Sequence, residues 1–247
     1  MRIAKYIPNT VTSLNLLSGI IGVTYAFEGR PDIAFFLMIA ASLFDFCDGL
    51  LARILNAKSE IGKELDSLSD MVSFGVLPSF LLNRMAVSHL GTGNLPDTIL
   101  CATPFLIAVF SALRLAKFNT DERQTENFIG LATPACALLC GALAHYVYTT
   151  PDSFLVGWAQ SRYAIPVLSV ILSALLVCEM PMFSLKFKKG QNKNSITNKL
   201  RICFLTLCAA SALLTFLVGQ KFSLVFILSV LIYVIINVIN LIATPRK

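Results

Sequence analysis

Charge is what this chain has least of. Lys, Arg, Asp and Glu together make up 14% of its 247 residues, against 56% hydrophobic ones, which excludes a water-soluble globule and predicts an all-α polytopic membrane protein. Histidine is nearly absent: His89 and His145 are the only two, both fall near predicted span ends, and neither has ligand partners in view. The seven cysteines lie scattered through apolar stretches with no CxxC spacing. Cys136 and Cys140 share a helical face, but two thiols without a nearby His or further Cys make no zinc site; all seven are expected as small core residues. There is no repeat of fixed period, and no low-complexity stretch apart from the polar segment 184–200. No small-x-small cleavage site follows the first apolar run, which is therefore expected to be retained.

What the chain does have is apolar runs of membrane length. They stand at roughly 11–27, 33–56, 67–87, 98–118, 130–149, 162–183, 201–219 and 222–243, each near the ~20 residues that cross ~30 Å of hydrocarbon. About eight transmembrane helices are predicted. With a cytoplasmic N-terminus, sixteen of the twenty Lys and Arg residues fall on the cytoplasmic side, and Arg30, Arg84, Arg162 and Lys221 fall outside. The positive-inside rule then predicts a multi-pass protein of the cell (inner) membrane with both termini cytoplasmic. Residues 1–183 read as a working membrane domain of six helices, 184–200 as a basic cytoplasmic loop, and 201–247 as an additional helix pair. The loop supplies much of the net charge of +6 and suits an anionic lipid leaflet, or topology setting alone, better than nucleic acid.

Four aspartates interrupt this oily background. Asp45 and Asp48 are three residues apart and Asp66 and Asp70 four apart, so on helices each pair projects from a single face. Intramembrane carboxylates face a cavity, a partner or a substrate path. Pairing with Arg53, Lys58 and Lys63 is the purely structural alternative, and it does not call for four acids at this spacing. All-oxygen ligands without clustered His or thiolate point to hard divalent ions, Mg²⁺ or Mn²⁺. Two such ions balance four carboxylates, and a pair ~3.5–4 Å apart clamps the oxygens of a phosphoryl group during in-line displacement. The acids lie in the cytoplasmic half of the second span and at the opening of the third, where a soluble nucleotide and a lipid phosphate can both arrive. Gly49 and Ala52 leave the helix surface bare for a base or pyrophosphate, or for close helix packing. Arg53, one turn beyond Gly49, carries a guanidinium suited to phosphate oxygens. Arg114 and Lys117, one turn apart with Asn119 close by, offer a clamp for a carboxylate or, more simply, positive-inside anchors.

The pattern DxxDGxxAR, eight residues, then GxxxDxxxD is complete here at Asp45, Asp48, Gly49, Ala52, Arg53, Gly62, Asp66 and Asp70, and it resembles the signature of the CDP-alcohol phosphotransferases. The stretches PNTVTSLNLLSG (8–19), LDSLSDMVSFGVLPS (65–79), RLAKFNT (114–120) and FIGLATPA (128–135) are similar to the serine-accepting branch of that family. Together they reach about residue 135; beyond it only hydrophobicity matches. The resemblance implies transfer of the phosphatidyl group of CDP-diacylglycerol to L-serine, with membrane lipids around a homodimer. It implies that Asp45, Asp48, Asp66 and Asp70 ligate two metals and that Asp70 doubles as proton acceptor. Gly49, Ala52, Arg53, Ser59 and Gly62, with Asn9 and Thr12 on the first helix, are implied as CDP-diacylglycerol contacts, and Arg114, Lys117 and Asn119 are expected at the serine. The family often has Arg where this chain has Lys117 and Pro where it has Ala132. Other acceptors, glycerol 3-phosphate or an inositol phosphate, stay open within the family. A divalent-cation transporter is the reading from another class, although transport sites tend to lie at the bilayer midplane between repeated halves.

Overall fold

The computed structural model describes residues 6–57, 59–120, 128–183 and 196–243. The chain runs through α1 (Tyr6–Phe27), α2 (Pro31–Ile54), α3 (Glu60–Asp70), a π-helical turn (Met71–Val76) and α4 (Leu77–Leu90). It continues through α5 (Leu95–Ala102), α6 (Phe105–Thr120), β1 (Phe128–Ile129), α7 (Thr133–Thr149), α8 (Phe154–Ala159), α9 (Ala164–Val177), β2 (Pro181–Met182), α10 (Ile196–Leu217) and α11 (Ser223–Ala243). The all-α architecture expected from the sequence holds, with one small addition: β1 and β2 pair antiparallel, Phe128 opposite Met182 and Ile129 opposite Pro181.

Helices stand at all eight predicted places, and six stretches among the described residues are long and apolar enough to cross a membrane. The other two are α7 and α9, of 17 and 14 residues, which at 1.5 Å per residue reach only about 26 and 21 Å. The shortfall in α7 follows from its position. It is the buried centre of the bundle, with Cys136, Ala137, Cys140 and Ala142 fully enclosed, so other helices surround it in place of lipid. Around it the outer helices present large apolar side chains, among them Leu43, Phe46, Leu213 and Phe216, the surface that acyl chains cover. The protein is a multi-pass membrane protein.

The third span departs most from expectation. Hydropathy places its start at 67 because residues 60–66 are polar, yet the helix begins at Glu60, where the Ser59 Oγ caps it by accepting from the Gly62 N–H at 3.1 Å. One side of α3 turns Ile61 and Leu68 outward, 75% and 64% exposed, while Asp70 is buried. The stretch is amphipathic, so averaged hydropathy does not detect it.

Residues 184–195 of the expected basic loop lie outside the described residues, as do Lys58, Arg123 and both chain ends, while 196–200 already form the first turns of α10. The last helix pair packs on the rest: α11 lies against α7 and α10. Its Asn237 Oδ1 accepts from the Phe183 N–H at 3.0 Å, and the Tyr233 hydroxyl donates to the Phe183 carbonyl at 2.9 Å. At the opposite end His145 is buried, its Nδ1 3.0 Å from Ser223 Oγ, among the rings of Phe35, Phe36 and Phe222. It is a core histidine.

Candidate active site

Three helices build the site. α1 packs against both α2 and α3, so the acidic faces of α2 and α3 close against the polar stripe of α1 formed by Asn9, Thr12 and Asn15. The spacing of that stripe, every third residue, keeps it on one side of the helix.

Asp45 and Asp48 on α2 and Asp66 on α3 come together with one carboxylate oxygen of each within 4.8 Å of the others. Thr12 and Asp48 share one cavity wall. Asp48 Oδ2 and Asp66 Oδ1 are sealed from solvent with no partner among the described residues. Three carboxylates this close, two carrying orphaned lone pairs, make an arrangement that needs cationic neutralisation, and the all-oxygen donor set fits a hard divalent ion. Asp70 is set one turn further along α3. It is linked to the site through Asn15, whose Nδ2 donates to Asp70 Oδ1 at 3.1 Å.

A cavity of about 510 Å³ opens beside the carboxylates, bounded by α1, the end of α2 and the start of α3. Its wall includes Asn9, Thr12, Gly49, Ala52, Ser59 and Gly62, together with Asp48 and Asp66. Six of the seven positions expected at CDP-diacylglycerol therefore line one space. Gly62 is needed there: a Cβ would stand 2.9 Å from Asn9 Oδ1 and 3.0 Å from Ser59 Oγ, closing the wall between α1 and α3. The seventh, Arg53, is exposed and outside the lining, its Nε donating to the Gly49 carbonyl at 3.0 Å along its own helix. Glu60, which was not foreseen, and Lys63, expected only as a structural counter-charge to the aspartates, also line the cavity. Lys63 stands three residues before Asp66 on the same face, which is the signal that was available. Its Nζ donates to the Asn119 carbonyl at 3.0 Å.

The three residues expected at serine do not share one environment. Arg114 is buried at 7% exposure, donates from Nη1 to Thr133 Oγ1 at 2.8 Å, and keeps a sealed Nε without a partner among the described residues. One turn before it Ser111 also holds a buried hydroxyl without a partner among the described residues; Gly75 of the π turn allows its close approach. α6 packs against the π turn that follows Asp70, so the buried Arg114 belongs to the same interior. Lys117, by contrast, is half-exposed with its Nζ 3.6 Å from Glu179. Asn119 braces α6 to α3 by donating from Nδ2 to Ser67 Oγ at 2.8 Å.

A model of the family described as CDP-alcohol phosphatidyltransferase matches residues 5–177. The CDP-diacylglycerol–serine O-phosphatidyltransferase of Mycobacterium leprae is 33% identical over 186 residues, 72% of this chain and 58% of that protein; the chain thus spans less than two thirds of that relative's length. The protein of the same name from Mycobacterium tuberculosis is 33% identical over 220 residues, 85% of this chain and 71% of its own. The one from Methanocaldococcus jannaschii is 28% identical over 234 residues, 95% of this chain and 94% of its own.

Proposed function

The chain belongs to the CDP-alcohol phosphatidyltransferase family, and on that footing we propose that it transfers the phosphatidyl group of CDP-diacylglycerol to the hydroxyl of L-serine, giving phosphatidylserine and CMP. The observation that carries this reading is the meeting of Asp45, Asp48 and Asp66, the last two at the wall of a cavity of about 510 Å³ lined by small and polar residues of three helices. The names of the relatives supply the acceptor.

In this reading Asp45, Asp48 and Asp66, with Asp70 at the edge, hold two divalent cations, Mg²⁺ or Mn²⁺. When bound, the ions neutralise charge on the pyrophosphate and on the departing CMP. Asn9, Thr12, Ser59 and the bare surfaces of Gly49, Ala52 and Gly62 receive the CDP moiety, and Arg53 stands at its rim as a phosphate partner. Asp70 takes the proton of the serine hydroxyl as its oxygen forms a bond to the phosphorus that carries diacylglycerol. The bond from that phosphorus to CMP breaks in the same displacement, and the proton remains on Asp70 until solvent removes it. Arg114 faces the serine carboxylate, for which its Nε and its neighbour Ser111 support a polar pocket. Lys117 and Asn119 belong to the outer edge of this subsite. The site faces the cytoplasm in the cell membrane, as the distribution of Lys and Arg supports, and the molecule works as a homodimer through membrane helices.

The test is direct. Purified protein in lipid nanodiscs, given CDP-diacylglycerol and labelled serine, is expected to release CMP and labelled phosphatidylserine in equal amounts. Asp70→Asn should retain CDP-diacylglycerol binding and lose most turnover, whereas Asp48→Asn should lose both. Full turnover in Asp70→Asn would remove that residue's role. Preference for glycerol 3-phosphate in an acceptor competition would move the protein elsewhere in the family.

A further inference from the structure

Asn15 is fully buried on a helix that spans the membrane, and a buried amide there is costly unless it is bonded. It makes one side-chain hydrogen bond, from Nδ2 to Asp70 Oδ1 at 3.1 Å, and its Oδ1 is sealed without a partner among the described residues. A carboxylate only accepts, so the amide must turn its NH₂ toward Asp70 even though the other half of the group is left unsatisfied. Packing alone would be served better by Leu or Ser.

We infer that Asn15 is a positioning residue for Asp70, setting the plane of its carboxylate by one amide hydrogen bond delivered from α1. The terminal torsion of an aspartate is broad and roughly two-fold, so an unheld carboxylate rotates either oxygen toward the acceptor. The bond from Asn15 engages Oδ1. Oδ2 takes no hydrogen bond from the described residues, and Asp70 keeps 9% of its surface open, so Oδ2 is the oxygen left open to the site.

The donor is itself fixed in place. The Ser73 hydroxyl donates to the Asn15 backbone carbonyl at 3.0 Å, tying α1 to the π turn immediately after Asp70. One turn further along α1, Gly19 lets the two backbones meet: a Cβ there would lie 2.9 Å from Ser73 Cα. π turns of this type widen a helix locally and recur at functional sites. Here the turn brings Ser73 beneath Asn15, so the amide and the carboxylate it holds are referenced to the same piece of backbone.

The inference rests on the reading of Asp70 as proton acceptor, and the experiment separates the two. Asn15→Ala, Asn15→Asp, Ser73→Ala and Asp70→Asn are purified in nanodiscs, and kcat, both KM values and the melting temperature are measured for each. Asn15→Ala is expected to lower kcat roughly 10- to 100-fold, part of the ~10²–10⁴-fold that a general base supplies. Its KM for CDP-diacylglycerol should stay within about two-fold. Asn15→Asp, which turns the donor into a second acceptor, should be at least as damaging. Ser73→Ala, which loosens the mount of the amide but leaves its bond to Asp70 in place, should lower the melting temperature as much as Asn15→Ala does while losing several-fold less in kcat. Should Asn15→Ala fail to fold, Asn15→Gln, which keeps the donor on a longer arm, takes its place with the same expected split between kcat and KM. Retention of more than half of kcat in Asn15→Ala overturns the inference, and so does a kcat loss that tracks melting temperature equally in Asn15→Ala and Ser73→Ala. High turnover in Asp70→Asn would instead defeat the reading of Asp70, whatever Asn15 does.

Discussion

At the scale of single residues, the two cations of the RLAKFNT stretch separate. Arg114 lies inside, with a sealed Nε and Thr133 as its partner, whereas Lys117 lies outside on Glu179 at 3.6 Å. An exposed pair of that kind is worth ~0–1 kcal/mol, whereas a buried guanidinium donor without a partner among the described residues is costly to leave unmet. Arg114→Ala is therefore expected to raise the KM for serine at least ten-fold and that for CDP-diacylglycerol less than about three-fold, read by varying each substrate in turn. Lys117→Ala should change neither by more than about two-fold. Equal effects of Arg114→Ala on the two substrates would reduce it to a structural cation. The sequence showed that both residues were basic and one turn apart, but not which way each pointed, because both faces of α6 are contacted by residues far along the chain.

At the scale of elements, the join of α3 to α4 governs the site. Spacing alone placed Asp66 and Asp70 on one helical face, and the structure keeps them in one helix. What spacing could not show is the π turn at Met71–Val76, since a widened turn depends on what packs against it rather than on local propensity. Gly19→Ala tests this contact. The added methyl meets the Ser73 side chain and its Cα at 2.9 Å, so backbone has to move, and overpacking of this sort costs ~1–3 kcal/mol. A lower melting temperature and reduced kcat are expected together; a neutral Gly19→Ala would mean that α1 is free to draw back from the turn. Ser59 was reached through the family resemblance alone; that it caps α3, and so stands at the cavity wall, is a finding of the structure.

At the scale of the molecule, the acidic cluster and the last helix pair each make a demand on the whole bundle. Asp45, Asp48 and Asp66 come from two helices and crowd to within 4.8 Å, so removing divalent ions with a chelator should abolish turnover and lower the melting temperature, and adding Mg²⁺ or Mn²⁺ should restore both. Turnover that persists in thorough chelation would end the two-metal reading. The final helix α11 holds Phe183 by both its N–H and its carbonyl, through Asn237 and Tyr233. Phe183 follows β2, whose partner β1 leads through Gly130 into α7. Gly130 has φ of +76°, and a Cβ there would meet the Leu176 carbonyl at 2.7 Å, so only glycine makes that return. Asn237→Leu strands the Phe183 N–H and is expected to cost ~1–3 kcal/mol, with a rise in the KM for serine as the start of α7, and with it Thr133 beside Arg114, loses its support. A melting temperature unchanged from the native protein would show that the pair is only appended.

The sequence by itself determined that this chain lives in a membrane, roughly where its eight apolar helices stand, and that four carboxylates fall in two pairs at helical spacing, because hydropathy and helical period are local properties of consecutive residues. The tertiary structure alone decided that three of those carboxylates converge while the fourth is held by an asparagine 55 residues earlier, that Arg114 turns inward and Lys117 outward, and that α7 is enclosed by protein. Those outcomes depend on how closely distant helices approach one another, and that distance is set by packing across the bundle.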